Sequence, residues 1–298
     1  MKILFHNYSD EMTTEPAYLF QALQKSGLDA HFWSDRNVGA YDTFDQIQPD
    51  VFVSNFRNIT PDIVKYLEQS PRINLVLNVT GISDAQMQEV EGFLEAKKID
   101  VPFVFTNSFS HKPLPKTRLK CERIFPAFDL FRVRQGVAVD LVCKEAVLSR
   151  EFNGHLEKQL AKKEVYHLIQ VTEGEKDANF DLRVNASSIQ ELSQYYKEVS
   201  LVGDTDFCSS QLFFDLNFNA HNISVTVEDQ ENFTKFLSTV FKEDESNEDL
   251  ALQIKDQMKA RHTPFHRAAT FLKHLKFQDG MLQVENVKGQ LPAMLKEL

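Results

Sequence analysis

The stretch GDTDFCSSQLFFD, residues 203–215, brings together residue types that can hold a phosphorylated, ribose-containing ligand. The apolar run Val199–Val202 before it reads as a strand, and SQLFFDLNFNA reads as a helix, with Gly203 and Asp204 at the turn between them. A helix N-terminus carries unpaired N–H groups and about half a positive charge, which suits phosphate. Ser209 and Ser210 can cap that helix or donate to a pyrophosphate. Gln211 and Asp215 are four residues apart and share a helix face, while Leu212, Phe213 and Leu216 supply an apolar stripe. A carboxylate one turn beyond a phosphate can accept two hydrogen bonds from a vicinal diol. The same pattern describes an ordinary capped core helix equally well.

Other chemical signatures narrow the choice. No GxGxxG follows the first apolar run, and neither a Walker A motif nor GxSxG is present, which disfavours an NAD enzyme, a P-loop NTPase and a serine hydrolase. His262 and His266 are four apart but flank Pro264 and lack a third ligand, so they read as a surface feature rather than a metal site. From His111 to Arg134 the chain is basic, with Lys112, Lys116, Arg118, Lys120, Arg123, Arg132 and Arg134 interleaved with Phe125, Phe128 and Phe131. Such a face could meet phosphate and an extruded base, or pack against a hinge. The whole chain carries a net charge of −10, which argues against general adhesion to nucleic acid or anionic membrane. Its 3 cysteines are widely spaced and odd in number, fitting neither a disulfide scaffold nor a zinc site. The polar start after KILF and the lack of a long apolar run lead us to expect a soluble, cytoplasmic protein with no membrane partner.

These residues need a scaffold, and the pattern of apolar runs supplies one. KILFHN, AHFWS, DVFVSNF, INLVLNVTG and VPFVFTN have strand length and alternate with EPAYLFQALQKSGL, TPDIVKYLEQ and SDAQMQEVEGFLEAKK, which have helical spacing. After the basic stretch, taken as loop and linker, VDLVCK, VYHLIQV, SLVGD and ISVTVED read as strands, and EFNGHLEKQLAKK, SIQELSQYYKEV and SQLFFDLNFNA as helices. The fold class is therefore α/β, with two Rossmann-like domains facing across a cleft and C-terminal helices closing the structure. The boundaries fall at 1–130 for the first domain and 131–275 for the second, with 276–298 a tail packing back on the first. At 298 residues the chain is long enough for two cores.

The layout resembles the GT-B glycosyltransferases. Within them it is similar to the phage DNA beta-glucosyltransferases and, more distantly, to spore-maturation type glycosyltransferases. Three segments carry the resemblance: MKILFHN…TEPAYLFQALQKSGLDAHFWS, SLVGDTDFCSSQLFFDLNFNAHNISVTVED and RHTPFHRAATFLKHL. It implies a first domain that binds the acceptor and a second that binds a nucleotide-sugar, with Asp215 on the ribose and residues 203–211 around the donor phosphates. Where the family often has an arginine three residues before the acid, this chain has Leu212. Lys144 and Arg150, in VCKEAVLSREFNG, stand where the family places basic phosphate ligands; Arg150 has the planar fork a diphosphate favours, or else pairs with Glu145 or Glu151. The resemblance points to a UDP-sugar donor and a hydroxymethylated pyrimidine of DNA as acceptor, with Lys116, Arg118 and Lys120 as acceptor ligands. No cofactor is expected to be tightly bound, and a divalent metal is not indicated.

An inverting transfer needs a base to take the acceptor's proton. The family's base position coincides with Gly81, so Asp84, Asp10 and Glu11 are the candidates; Asp84 is equally explained as a first-turn acid. That departure leaves open another acceptor (a glycan, protein or small molecule), a retaining mechanism, or a non-catalytic nucleotide-binding or scaffold protein.

Overall fold

The computed structural model describes residues 1–6, 15–33, 38–79, 84–106, 117–124, 127, 143–163, 166–172, 175–184, 195–208, 213, 216, 223–241 and 257–294. The chain divides into two compact units. One comprises Met1–Ser108, Lys112–Pro126 and Pro264–Glu297; the other comprises Phe109–His111, Ala127–Thr263 and Leu298. Each is built on a parallel sheet with helices, so the expected pair of Rossmann-like α/β units is present.

In the first unit, β1 (Lys2–His6), β2 (Asp29–Trp33), β3 (Val51–Asn55), β4 (Asn74–Asn78), β5 (Val104–Thr106) and β6 (Cys121–Arg123) lie in the order β2-β1-β3-β4-β5-β6, all parallel. Parallel strands covered on both faces are apolar almost throughout, and Ile3, Leu4 and Phe5 of β1 have no exposed surface. Leu4 and Phe52 belong to a core with Phe44 of α2 (Ala40–Ile47), Ile63 of α3 (Pro61–Gln69), and Met87 and Val90 of α4 (Asp84–Lys97). Thr60 starts α3 by accepting the Ile63 N–H at 3.4 Å, with Pro61 in the first turn, where a missing N–H costs nothing.

Phe5 instead meets Phe20 of α1 (Glu15–Lys25) and Phe271. Phe271 belongs to the helix Pro264–His274, and its ring centroid also lies 5.8 Å from Phe103 and 6.1 Å from Phe105. Emptying such a site by Phe271→Ala costs about 3–5 kcal/mol.

The second unit has β7 (Cys143–Ser149), α5 (Gly154–Leu160), β8 (His167–Val171), β9 (Leu182–Val184), β10 (Tyr196–Gly203), α6 (Thr205–Cys208), β11 (Ile223–Val227) and α7 (Gln230–Val240). The parallel order is β11-β10-β7-β8-β9. Val147, Leu156, Leu160, Leu168, Phe180 and Val202 form one buried cluster. Phe213, Phe233 and Phe236 form an aromatic one, with the Phe213–Phe236 centroids 5.4 Å apart. The two helices after this unit, α8 (Pro264–His274) and α9 (Gln278–Met294), pack on each other.

Several local expectations are corrected. Tyr196–Val199 belongs to β10 rather than to a helix: Tyr196, Val199, Leu201 and Val202 are buried in the middle of the sheet, and pairing to β7 and β11 overrides their helical spacing. β7 runs to Ser149, later than VDLVCK suggests. α2 and β6 occupy stretches read as turn and loop. His262 is no surface residue, for it is 5% exposed with its ring 5.1 Å from that of Phe241.

Candidate functional site

In the second unit the chain leaves β7 toward β8 and β9 on one side, then returns through β10 on the other side of β7. The connections leaving β7 and β10 therefore diverge, and the carboxyl ends of strands at such a switch point are the general ligand position of open α/β sheets. Arg150 is the first residue after β7, and Gly203 is the last residue of β10.

The segment carrying Arg150 is pinned. Gln170 Nε2 donates to the Arg150 carbonyl at 3.2 Å, the Ser149 hydroxyl donates to the Glu151 carbonyl at 3.1 Å, and Asn153 Oδ1 caps α5 by accepting from the N–H groups of His155 and Leu156. The Arg150 side chain is exposed, with its guanidinium carbon 5.1 Å from the centroid of the Phe207 ring. Such stacking holds the guanidinium plane without using its N–H donors.

Neither carboxylate suggested as its ion-pair partner takes it. Glu145 accepts from Lys163 Nζ and, at 2.6 Å, from the Ser200 hydroxyl; Glu151 accepts from Asn153 Nδ2 at 3.4 Å. Among the described residues Arg150 therefore has no carboxylate partner.

Gly203 is needed where it stands: a Cβ there would lie 2.9 Å from Phe207 Cδ1, so only glycine lets the ring beneath Arg150 sit so close to the strand end. The turn departs from expectation. The helix begins at Thr205, and Asp204 Oδ1 caps it by accepting the Phe207 N–H at 2.7 Å. Asp204 thus serves as a cap, and 203–211 is not one open loop. Phe213 and Leu216 are helical and buried, as the apolar stripe requires. Ser209, Ser210, Gln211 and Asp215 lie outside the described residues.

Acids share this edge. Asn153 Nδ2 donates to Glu228 Oε1 at 3.1 Å, and the Glu228 N–H donates to the Gly203 carbonyl. The buried Cys208 thiol reports their field. Burial pushes it up to about 12, with Asp204 and Glu228 raising it further and Arg150 opposing them. The acids and Arg150 thus act in opposite directions on charge at this edge.

Lys144 does not join it. It is the second residue of β7, at the opposite end of the strand, and six strand steps put its backbone roughly 20 Å from Arg150.

In the first unit, polar side chains are buried at the carboxyl ends of successive strands: His6 on β1, Ser54 on β3, Asn78 on β4 and Thr106 on β5. The sheet reverses its order between β1 and β3, where His6 Nδ1 lies 2.9 Å from Ser54 Oγ. The His6 ring is stacked on Trp33, with centroids 4.3 Å apart. Burial lowers its pKa to about 4, so it is neutral at physiological pH and can donate or accept a hydrogen bond. The apolar run KILFH gave no separate signal for it, since a lone histidine closing a buried strand reads as core.

Asp84 opens α4, exposed, in the connection after β4, where a first-turn acid is favoured by the helix dipole. Arg118 is exposed beside Glu95 at 3.7 Å, and Lys120 pairs with Glu122 at 3.0 Å, so both act as surface ion-pair members. Asp10, Glu11 and Lys116 lie outside the described residues. Among the described residues no group of three His, Cys, Asp or Glu side chains could hold a metal ion, and no helix is long and apolar enough to cross a membrane.

No family model matches the chain, and no curated protein matches it. Solved structures similar to it include the glycosyltransferase SnogD from Streptomyces nogalater, at 12% identity over 92% of this chain and 99% of that one, with a TM-score of 0.46. Spinosyn forosaminyltransferase SpnP is 11% identical over 99% and 98%, with a TM-score of 0.45. Spinosyn rhamnosyltransferase SpnG, complexed with thymidine diphosphate, is 10% identical over 97% and 99%, with a TM-score of 0.40.

Proposed function

We propose that the protein is a glycosyltransferase that takes a sugar from a nucleoside diphosphate, with UDP the nucleotide and the second unit its binding domain. The observation that carries this reading is Arg150: an exposed guanidinium on a pinned backbone, with no carboxylate partner among the described residues, lying over Phe207 at the point where the sheet reverses its strand order. A planar fork in that position suits the two parallel hydrogen bonds of a diphosphate. In this reading Ser209, Ser210 and Gln211 extend the diphosphate contacts, and Asp215 holds the ribose hydroxyls.

The first unit takes the acceptor. Its hydroxyl loses a proton to a carboxylate of the β1–α1 or β4–α4 connection, Asp10, Glu11 or Asp84. The pairing of Arg118 with Glu95 and of Lys120 with Glu122 gives no special support to DNA, so a hydroxymethylated pyrimidine enters as one acceptor among several.

The test is incubation with a series of UDP-sugars, following UDP release and the mass of each acceptor, hydroxymethylated DNA and small polyols included. The reading predicts UDP release with at least one donor, abolished in Arg150→Ala. Release that is unchanged in that variant, or absent with every donor, contradicts it.

A further inference from the structure

The second unit has a cavity of about 670 Å³ beside α5, separate in its lining from Arg150, Phe207 and Gly203. Leu160 and Leu168, both buried, contribute apolar surface, and the rings of Phe152 and Tyr166 line it together with Glu157, Asn179 and Asp181. Phe152 is 36% exposed, which is unusual for a ring that also packs edge-on against Phe180, so it presents open aromatic surface to the cavity.

The polar members are held in place. Asp177 Oδ1 accepts from both the backbone N–H and the Nδ2 of Asn179, each at 2.9 Å, which leaves the Asn179 carbonyl oxygen to accept from a ligand. Asp181 Oδ2 accepts the Leu168 N–H at 2.7 Å, leaving its other oxygen. The cavity is thus rich in acceptors and aromatic surface, and no lysine or arginine lines it among the described residues.

That chemistry excludes phosphates and carboxylates, which would meet Glu157 and Asp181 unpaired. A cation is the competing ligand, since the two acids attract one; Lys176 Nζ, which donates to the Phe180 carbonyl at 2.8 Å and contacts the Asp181 carbonyl, offsets part of that charge. A neutral polyol with one apolar face satisfies both features. Its hydroxyls donate to Glu157, Asp181 and Asn179, and its C–H face lies on Phe152.

We propose that this cavity binds a neutral pyranose, as a saccharide subsite distinct from the nucleotide site. The proposal stands whether or not Arg150 binds a nucleotide, because none of the lining residues is shared with that site.

Saturation-transfer NMR on the full chain with the methyl pyranosides of glucose, galactose, mannose and N-acetylglucosamine tests it, at about 10 mM to detect millimolar affinity. The expected result is saturation of ring protons in at least one sugar. Binding should be about fivefold weaker or lost in Phe152→Ala and in Asn179→Ala, and kept in Phe152→Tyr, which retains the ring and controls for folding. Absence of signal from all four sugars overturns the proposal. So does binding that survives both alanine variants, or a signal from propylammonium with none from the sugars.

Discussion

Acidification should destabilise the first unit through His6, and the chain carries its own reporter of that event. The His6 ring is 1% exposed and stacked on Trp33, the single tryptophan of the sequence. In the unfolded chain the imidazole titrates at 6.5, and in the fold burial lowers this to about 4. Between those values the unfolded state binds the proton that the folded state refuses. Stability is therefore complete above 6.5 and declines as pH falls toward 4.

Fully expressed, that difference is worth about 3 kcal/mol, and about 1.4 kcal/mol of it should be gone by about pH 5.5. The assay is urea unfolding followed by Trp33 fluorescence at several pH values, for the wild type and for His6→Phe, which keeps an aromatic ring beside Trp33 and does not titrate. The wild type should lose stability relative to the variant across this window, with equal slopes above about pH 7. Parallel pH profiles for the two proteins, or an NMR titration of His6 near 6.5, would refute the reasoning.

Two other substitutions and one label probe the second unit. Asp204→Ala should cost about 1 kcal/mol in urea unfolding through loss of the α6 cap, with Asp204→Asn restoring most of it; equal stability of the two would show that the Phe207 N–H needs no cap. Gly203→Ala must push Phe207 away from the strand end, so it should weaken UDP binding along with Arg150→Ala, and unchanged affinity would detach the ring from the site. With its thiol pushed up to about 12, Cys208 should resist iodoacetamide at mildly alkaline pH and be labelled only after unfolding, as peptide mass mapping would show; rapid labelling of the folded protein would contradict its burial.

The α/β alternation was legible because buried parallel strands such as Ile3–Phe5 and Leu75–Leu77 are continuous apolar runs, bounded by caps such as Thr60-Pro61. Where the pattern was weaker it misled. α2 buries only Ala40, Thr43 and Phe44, too few for periodicity to declare a helix, and β6 is the polar Cys121–Arg123, placed by pairing to β5 alone. The helical spacing of SIQELSQYYKEV concealed a strand start, because tertiary pairing of Tyr196–Val199 outweighs local preference.

Within the candidate site, Arg150 was legible as a planar cation in a connecting loop, but its freedom was not. That freedom depends on Lys163 and Ser200 engaging Glu145, and on Asn153 engaging Glu151, contacts made at a distance in sequence or set by the cap geometry. Lys144 was misplaced for one reason: the strand runs five residues further, to Ser149, carrying Arg150 to the carboxyl edge and leaving Lys144 at the other. The buried polar row of His6, Ser54, Asn78 and Thr106 gave no motif, since each closes a different strand and only the sheet brings them into register.

Calorimetric titration of UDP into the wild type and Arg150→Ala tests the central claim most directly. Arg150 predicts saturable binding by the wild type and at least about tenfold weaker binding by the variant, the loss expected for charge-assisted hydrogen bonds to a diphosphate. No heat from the wild type, or the same affinity in both proteins, would contradict it.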